Sequence, residues 1–206
     1  MEKGEIIAVL RAMSRRMEEL KDYLTELDNV IADGDHGINM SRGFAAMEKK
    51  LDTLESADLG TIFKTVGMTL VSAVGGSAGP LYGTAFMRAG AVAAGREMLD
   101  MDGFLACLHA AIEGVMQRGK AVRGEKTMLD SMLPALDAMS VAHEAALPAG
   151  DCLFAGVKAA EDGIEFTKTI AATKGRASYI GERSIGHQDP GATSFTFLLD
   201  VIAQAV

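Results

Sequence analysis

Thr65-Val-Gly-Met-Thr-Leu-Val-Ser-Ala-Val-Gly-Gly-Ser-Ala-Gly-Pro-Leu-Tyr-Gly-Thr-Ala-Phe-Met87 carries no charged residue and is long enough to cross a bilayer. How it is read decides the fold. A membrane span needs an uninterrupted helix, and Gly75-Gly-Ser-Ala-Gly-Pro80 breaks this one at its centre. Pro80 stands where the first turn of a new helix tolerates a missing N–H. The stretch therefore predicts a buried helix ending near Val74, a glycine-rich loop, and a second helix from Pro80 to about Gly95.

The same pattern extends in both directions. Asp58 can cap the helix that runs to Val74. A shorter helix precedes it over Ser41–Leu54. Further upstream Ile6, Ile7, Leu10, Met13, Met17, Leu20 and Leu24 trace one apolar helical face. Downstream, helices are expected from Asp102 to about Ala121, from Asp130 to about Ala145 with Pro134 near its start, and from Asp151 to about Thr173. A last one runs from Pro190 to the C-terminus. No segment alternates with the period of a strand. Eight helices joined mostly by short loops predict an all-α fold, an eight-helix antiparallel barrel or bundle, with residues 1–206 as a single domain.

Composition narrows the function. The 206 residues suffice for one sizeable core, and the net charge of −8, with no basic stripe, argues against nucleic acid as a partner. Cys107 and Cys152 lack metal-binding spacing and are expected as buried free thiols. The 13 methionines are expected to fill gaps in the core. Met1 to Lys21 is charged throughout and lacks the apolar segment of a signal peptide, so a cytoplasmic protein without membrane attachment is expected.

Chemistry concentrates in Leu27-Asp-Asn-Val-Ile-Ala-Asp-Gly-Asp-His-Gly37. Asp28, Asp33 and Asp35 fall within one short stretch, and no Lys or Arg lies between Lys21 and Arg42. At an effective dielectric near 20, each pair of carboxylates about 5 Å apart repels by roughly 3 kcal/mol. A hard divalent cation would relieve this, and oxygen ligands favour Mg²⁺ or Ca²⁺ over zinc. An EF-hand starting at Asp33 needs Gly at its sixth position and Glu at its twelfth. Those positions hold Ile38 and Phe44, which leaves Mg²⁺ completed by substrate phosphates. A solvated Asp/Gly turn is the plainer alternative.

Three further loops bear on function. Gly75–Gly83 exposes backbone N–H groups at a helix start, a ready anion site, although close helix packing explains its glycines as well. It is not a Walker A loop, since no Gly-Lys-Ser/Thr follows. In Gly124-Glu-Lys-Thr-Met-Leu-Asp130, Thr127 can cap the next helix, with Met128 at the helix mouth. Thr173–Gly191 is a long polar loop that concentrates Lys174, Arg176, Arg183 and His187 in an acidic chain. Arg pairs with phosphate through parallel hydrogen bonds. His187 is either an acid/base or a loop histidine bound to nearby backbone, and Asp189-Pro190-Gly191 reads as a turn and helix start. Together, an acidic, a glycine-rich and a basic loop point to a Mg²⁺-nucleotide.

Three long strings carry a family resemblance: L-D-x-x-I-x-D-G-D-H-G-x-N-M-x-R-G-F at 27–44, G-G-S-A-G-P-L-Y-G at 75–83 and G-R-A-S-Y-x-G-E-R-S-x-G-H-x-D-P-G-A at 175–192. With them the chain resembles the nucleotide-binding L subunits of dihydroxyacetone kinases. The resemblance implies a barrel of eight antiparallel helices with ADP or ATP capping one end. It implies that Asp28, Asp33 and Asp35 hold two Mg²⁺, and that His36, Gly37, Ile38 and Asn39 run beside the nucleotide. Ser77 and Ala78 match the phosphate loop, where the family often has a second Ser in place of Ala78. Gly119, Met128, Arg176, Asp189, Pro190 and Gly191 match further nucleotide contacts, with Arg176 as the catalytic residue that stabilises charge on the transferred group. The sugar-binding subunit that holds the substrate is a separate partner. A short separate chain is expected to keep ADP bound and have it rephosphorylated in place by a phosphohistidine donor of the phosphotransferase system. In the other branch of the family, exchangeable ATP is the donor. The alternatives are an ATP-dependent kinase subunit for another small ketose or tetrose, and a nucleotide-loaded regulatory module that binds a transcriptional regulator or kinase partner without turnover; a homodimer is expected.

Overall fold

The computed structural model describes residues 1–206 and contains nine α-helices and no strand. They are α1 (Lys3–Glu19), α2 (Lys21–Ile31), α3 (His36–Leu51), α4 (Leu59–Ala73), α5 (Ala78–Val92), α6 (Met101–Gly119), α7 (Leu129–Glu144), α8 (Ala149–Lys168) and α9 (Pro190–Ala203). Two short 3₁₀ turns, Arg176–Tyr179 and Gly181–Ser184, lie in the loop before α9. No helix is long and apolar enough to cross a membrane. The uncharged stretch resolves, as expected, into α4, a glycine-rich loop and α5.

Eight of the nine helices close a ring. In chain order α1 packs on α3, α3 on α4, and so on through α9, which returns to α1. Successive helices joined by short loops run antiparallel, so the ring is an eight-helix barrel. The ninth helix, α2, connects α1 to α3 and packs mainly on α3. The single helix expected from Ile6 to Leu24 is thus two. The chain kinks at Leu20 (φ −93°, ψ 1°), although Leu20 N–H still bonds Arg16 O and Leu24 N–H bonds Leu20 O. Because α2 runs on to Ile31, Asp28 is a helical residue rather than part of a loop.

Other boundaries also move. The helix expected from Ser41 begins at His36, shortening the acidic loop to Ala32–Asp35. Helix α6, expected from Asp102, begins at Met101 with Asp100 as its cap. Pro134 falls at the sixth residue of α7, past the first turn, so the Asp130 carbonyl loses its usual helical partner. Thr127 caps the start of α7 as expected: its Oγ1 accepts the Leu129 N–H at 3.3 Å, while the Asp130 carboxylate reaches back to accept the Thr127 N–H at 2.8 Å and the Gly124 N–H at 2.5 Å.

Glycines set the closest seam. A Cβ on Gly67 would lie 2.6 Å from Gly83 O, and one on Gly83 2.7 Å from Gly67 O, so α4 and α5 meet backbone to backbone. The core holds Met13, Met17, Met40, Met47, Met132 and Met139, as the composition suggested, and both cysteines are buried and free. An apolar cavity of about 250 Å³ remains inside the barrel among Met13, Phe63, Phe86, Phe104, Leu153 and Phe195.

Candidate functional site

Antiparallel order brings the N-termini of α3, α5, α7 and α9 to one end of the ring. Between them opens a cavity of about 480 Å³. The positive ends of four helix dipoles therefore converge on it.

The first wall is acidic. One carboxylate oxygen each from Asp28, Asp33 and Asp35 lies within 4.8 Å of the others. Gly34 makes this possible: it turns through φ +70°, and a Cβ there would strike the Asn29 side chain. Asp28 is buried, and its Oδ2 accepts N–H bonds from Asp35 (2.9 Å) and His36 (3.2 Å). Burial pushes its pKa up; the two N–H bonds oppose this, while Asp33 and Asp35 add to it. Buried Asp28, exposed Asp33 and half-buried Asp35 bring hard oxygen donors together, and this set fits Mg²⁺. Along the sequence no cation stood near these acids, but the fold supplies one. Arg176 Nε lies 3.0 Å from Asp33 Oδ2.

The second wall is a row of free donors. The amides of Gly75, Gly76, Ser77, Ala78 and Gly79 bond to no protein acceptor. Gly76 turns through φ +63°, and Ser77 precedes α5 without a side-chain cap. Unpaired N–H groups at a helix start are an anion site.

The third and fourth walls meet. Gly119 ends α6, and the buried Met128 starts α7. Asp189 caps α9 by accepting the Ala192 N–H at 2.7 Å, and burial pushes its carboxyl up to about 7. Behind them lies Lys126, a residue that sequence reading passed over. It is 1% exposed, and its Nζ donates to Thr167 O (2.5 Å), Ile170 O (3.3 Å) and His187 O. Burial lowers its pKa, opposed by Asp189 and Asp130. Thr167 Oγ1 in turn accepts the Asp189 N–H at 3.0 Å, so the lysine braces the end of α8 and the long loop against the start of α9. The only local hint was a lysine between a turn glycine and a helix start.

The floor is a hydroxyl chain. His36 Nε2 meets Ser194 Oγ at 3.0 Å, and Ser194 Oγ meets Tyr82 OH at 2.8 Å. Burial lowers His36 to about 4, so its ring is neutral, and burial raises Tyr82.

The residues singled out from sequence mostly converge. Asp28, Asp33, Asp35, His36, Asn39, Ser77, Ala78, Gly119, Met128, Arg176, Asp189, Pro190 and Gly191 all line the cavity. Gly37 and Ile38 do not: Gly37 is buried against the Lys21 carbonyl and Ile38 is exposed. Within the basic loop Lys174 and Arg176 line the cavity, while Arg183 and His187 stand outside it. Arg118, from the last turn of α6, also reaches the lining.

A helical ring that sets clustered carboxylates against free amides, with arginine at the rim, has the donor set that a cation-bridged polyphosphate requires. More particularly, the chain belongs to the DAK2 domain family, whose model matches residues 30–204. It is 45% identical over 184 residues to the PEP-dependent dihydroxyacetone kinase, ADP-binding subunit DhaL, of Escherichia coli strain K12, covering 89% of this chain and 88% of that one. It is 41% identical over 197 residues to the PTS-dependent dihydroxyacetone kinase, ADP-binding subunit DhaL, of Lactococcus lactis, covering 96% of this chain and 94% of that one. The fold matches the dihydroxyacetone kinase of C. freundii, solved in complex with AMP-PNP and Mg²⁺, with a TM-score of 0.75 and 22% identity. That match covers all of this chain but 34% of the larger one.

Proposed function

We propose that this chain is the nucleotide-holding subunit of a dihydroxyacetone kinase, acting in the cytoplasm as one domain over residues 1–206. It holds ADP or ATP with two Mg²⁺ and passes a phosphoryl group to dihydroxyacetone bound on a separate sugar-binding subunit. A phosphohistidine donor of the phosphotransferase system recharges the nucleotide in place. One observation carries this reading. The acid cluster of Asp28, Asp33 and Asp35 faces the free amides of Gly75 to Gly79 across one cavity. The names of the E. coli and L. lactis relatives supply the reaction and the donor class.

Phosphoryl transfer asks for positioning and charge neutralisation more than for covalent help. Mg²⁺, when bound, would supply that neutralisation. The three aspartates hold it, and the amides of the glycine-rich loop orient the phosphate chain. Met128, Gly119 and Asp189-Pro190-Gly191 form the wall beside the nucleoside. Arg176 rests on Asp33 in the free chain. From this place at the cavity lining the guanidinium would stabilise charge on the transferred group. The substrate hydroxyl is activated on the partner, so no general base is assigned here.

The test is to denature purified protein and identify the nucleotide it releases, then to mix the native chain with a sugar-binding subunit and a phosphohistidine donor. ADP is expected, retained through many cycles and lost on chelation with a fall in melting temperature. Turnover by ATP alone with rapid exchange places the chain in the ATP-dependent branch. Retained ADP without any turnover points to a regulatory module.

A further inference from the structure

We propose that Arg42 is a positioning residue that locks the Asn39 side chain with both its N–H groups turned to the phosphates. The inference rests on the nucleotide reading above. Asn39 lies one turn into α3, is 5% exposed, and faces the cavity. It sits directly under the glycine-rich loop: a Cβ on Gly75 would lie 2.7 Å from Asn39 Oδ1 and 3.0 Å from Nδ2. The two ends of a carboxamide are nearly alike in shape and opposite in hydrogen bonding, so its orientation has to be fixed by a neighbour.

Arg42 is that neighbour. Its Nη2 donates to Asn39 Oδ1 at 2.7 Å and its Nε to Ala73 O at 2.9 Å. A guanidinium only donates, so a flipped amide would set N–H against N–H. With Oδ1 taken, Asn39 Nδ2 has no protein acceptor. It lies beside Gly76, as does Asp35 Oδ1, at 3.9 and 3.8 Å from where a Gly76 Cβ would stand. Ala73 is the last residue of α4, immediately before the loop. One exposed arginine that does not line the cavity therefore sets the acidic wall in register with the amide wall. The planar fork matters, because a lysine keeps the charge but cannot hold both oxygens in that fixed geometry.

The test is a double-mutant cycle on release of labelled ADP in the presence of Mg²⁺, with melting temperatures of the nucleotide-free proteins alongside. Asn39→Ala should speed release about tenfold, the usual size of a lost hydrogen bond to a charged group. Arg42→Ala should give most of that loss. The double variant should release ADP no faster than Asn39→Ala, because Arg42 acts through Asn39. Arg42→Lys should behave like Arg42→Ala. Losses that multiply in the double variant, or full rescue by Arg42→Lys, overturn the lock and make Arg42 a simple source of charge. Unchanged release in Arg42→Ala, with or without a lowered melting temperature, overturns it as well. A wild-type chain that holds no ADP refutes the nucleotide reading itself; a wild type that holds ADP with additive variants refutes only the role of Arg42.

Discussion

The two ends of the barrel are built from the same parts, helix termini and short loops, and treat their backbone donors in opposite ways. At the far end the donors are paired. The Asp58 side chain accepts from Thr61 N–H and Gly95 N–H, Asp100 accepts from Gly103 N–H, and Leu59 N–H bonds Arg96 O. The N-terminal ammonium donates to Leu99 O at 2.7 Å and Lys3 N–H to Glu97 O. At the cavity end the amides of Gly75 to Gly79 have no acceptor, three acids crowd together, and Asn39 Nδ2 has no protein acceptor. Unpaired donors, and three acids met by the single guanidinium of Arg176, cost stability in the empty protein. A ligand that brings acceptors and cations offsets both costs together.

The largest expected effect follows from that contrast. Asp33→Asn or Asp35→Asn should abolish retention of ADP and Mg²⁺, measured as nucleotide content after purification. Each change removes repulsion among crowded acids, and the Arg176 pair that Asp33→Asn also gives up is exposed and worth little, so the nucleotide-free melting temperature should hold or rise. Full nucleotide content in both variants would mean the site is misplaced. Next in size is Arg176→Ala, expected to slow phosphoryl transfer in the reconstituted kinase by about a hundredfold or more, the usual loss for one preorganised charge donor. The Arg176 side chain is mostly exposed in the free chain, so helical circular dichroism should not change. An unchanged transfer rate would remove its catalytic role.

What could be foreseen follows the same division. Local features were legible: the glycine break in Thr65–Met87, Asp58 as a cap, Pro80 in a first turn, and the acids of the Asp28–Asp35 segment. The start of α3 at His36, ahead of the expected Ser41, was not legible, because a glycine such as Gly37 argues against a helix unless packing demands it. Here a side chain at 37 would collide with the Lys21 carbonyl, and the helix keeps its glycine for that reason. The Leu20 kink has no sequence signal, since its amide and carbonyl both stay in the helical ladder. The contacts that finish the site were hidden for a different reason. Arg176 with Asp33, Lys126 with Thr167 and His187, and His36 with Ser194 join residues far apart in the chain. No local pattern encodes such pairs; the closure of the ring creates them.

Two buried groups at the cavity end titrate in opposite senses. Asp189, facing Asp130, Lys126 and Asp28, is raised from 3.8 to about 7, and His36, beside Asp35, is lowered from 6.5 to about 4. The folded chain keeps the Asp189 proton that the unfolded chain releases. Its contribution is full below 3.8 and is lost as pH rises through about 7. His36 stays neutral when folded and takes up a proton when unfolded, so its contribution is full above 6.5 and is lost as pH falls toward about 4. Between those limits the two slopes oppose each other. Urea midpoints of nucleotide-free Asp189→Asn should rise with pH over that window, and those of His36→Gln should fall. Parallel slopes in the two variants would break this account.

The seam between the ends gives a smaller effect. Gly67→Val places a side chain against the Gly83 carbonyl and the Met87 amide, at 2.6 and 2.9 Å for the Cβ alone. Overpacking of this kind costs about 1–3 kcal/mol, read as a lowered urea midpoint. The α5 start moves with it, so ADP release should quicken as well. A variant that loses stability but holds ADP normally would show that the glycine-rich loop does not depend on this seam.

The smallest effect tests the comparison most directly, because it makes one chemical change at two equivalent positions. Asp100 and Ser77 are both N-caps, of α6 at the far end and α5 at the cavity end. Asp100 Oδ1 accepts the Gly103 N–H at 2.8 Å, whereas the Ser77 side chain caps nothing. Asp100→Ala should cost about 1 kcal/mol, the usual value of a lost cap, and leave ADP release unchanged. Ser77→Ala should leave the stability of the nucleotide-free chain unchanged, because no bond is lost. Its effect should appear only with ligand present, as a modest rise in the rate of ADP release if the hydroxyl adds a donor beside the loop amides. Equal destabilisation by both substitutions would mean the cavity end is capped like the far end, and the division between a self-satisfied end and one completed by its ligand would fail.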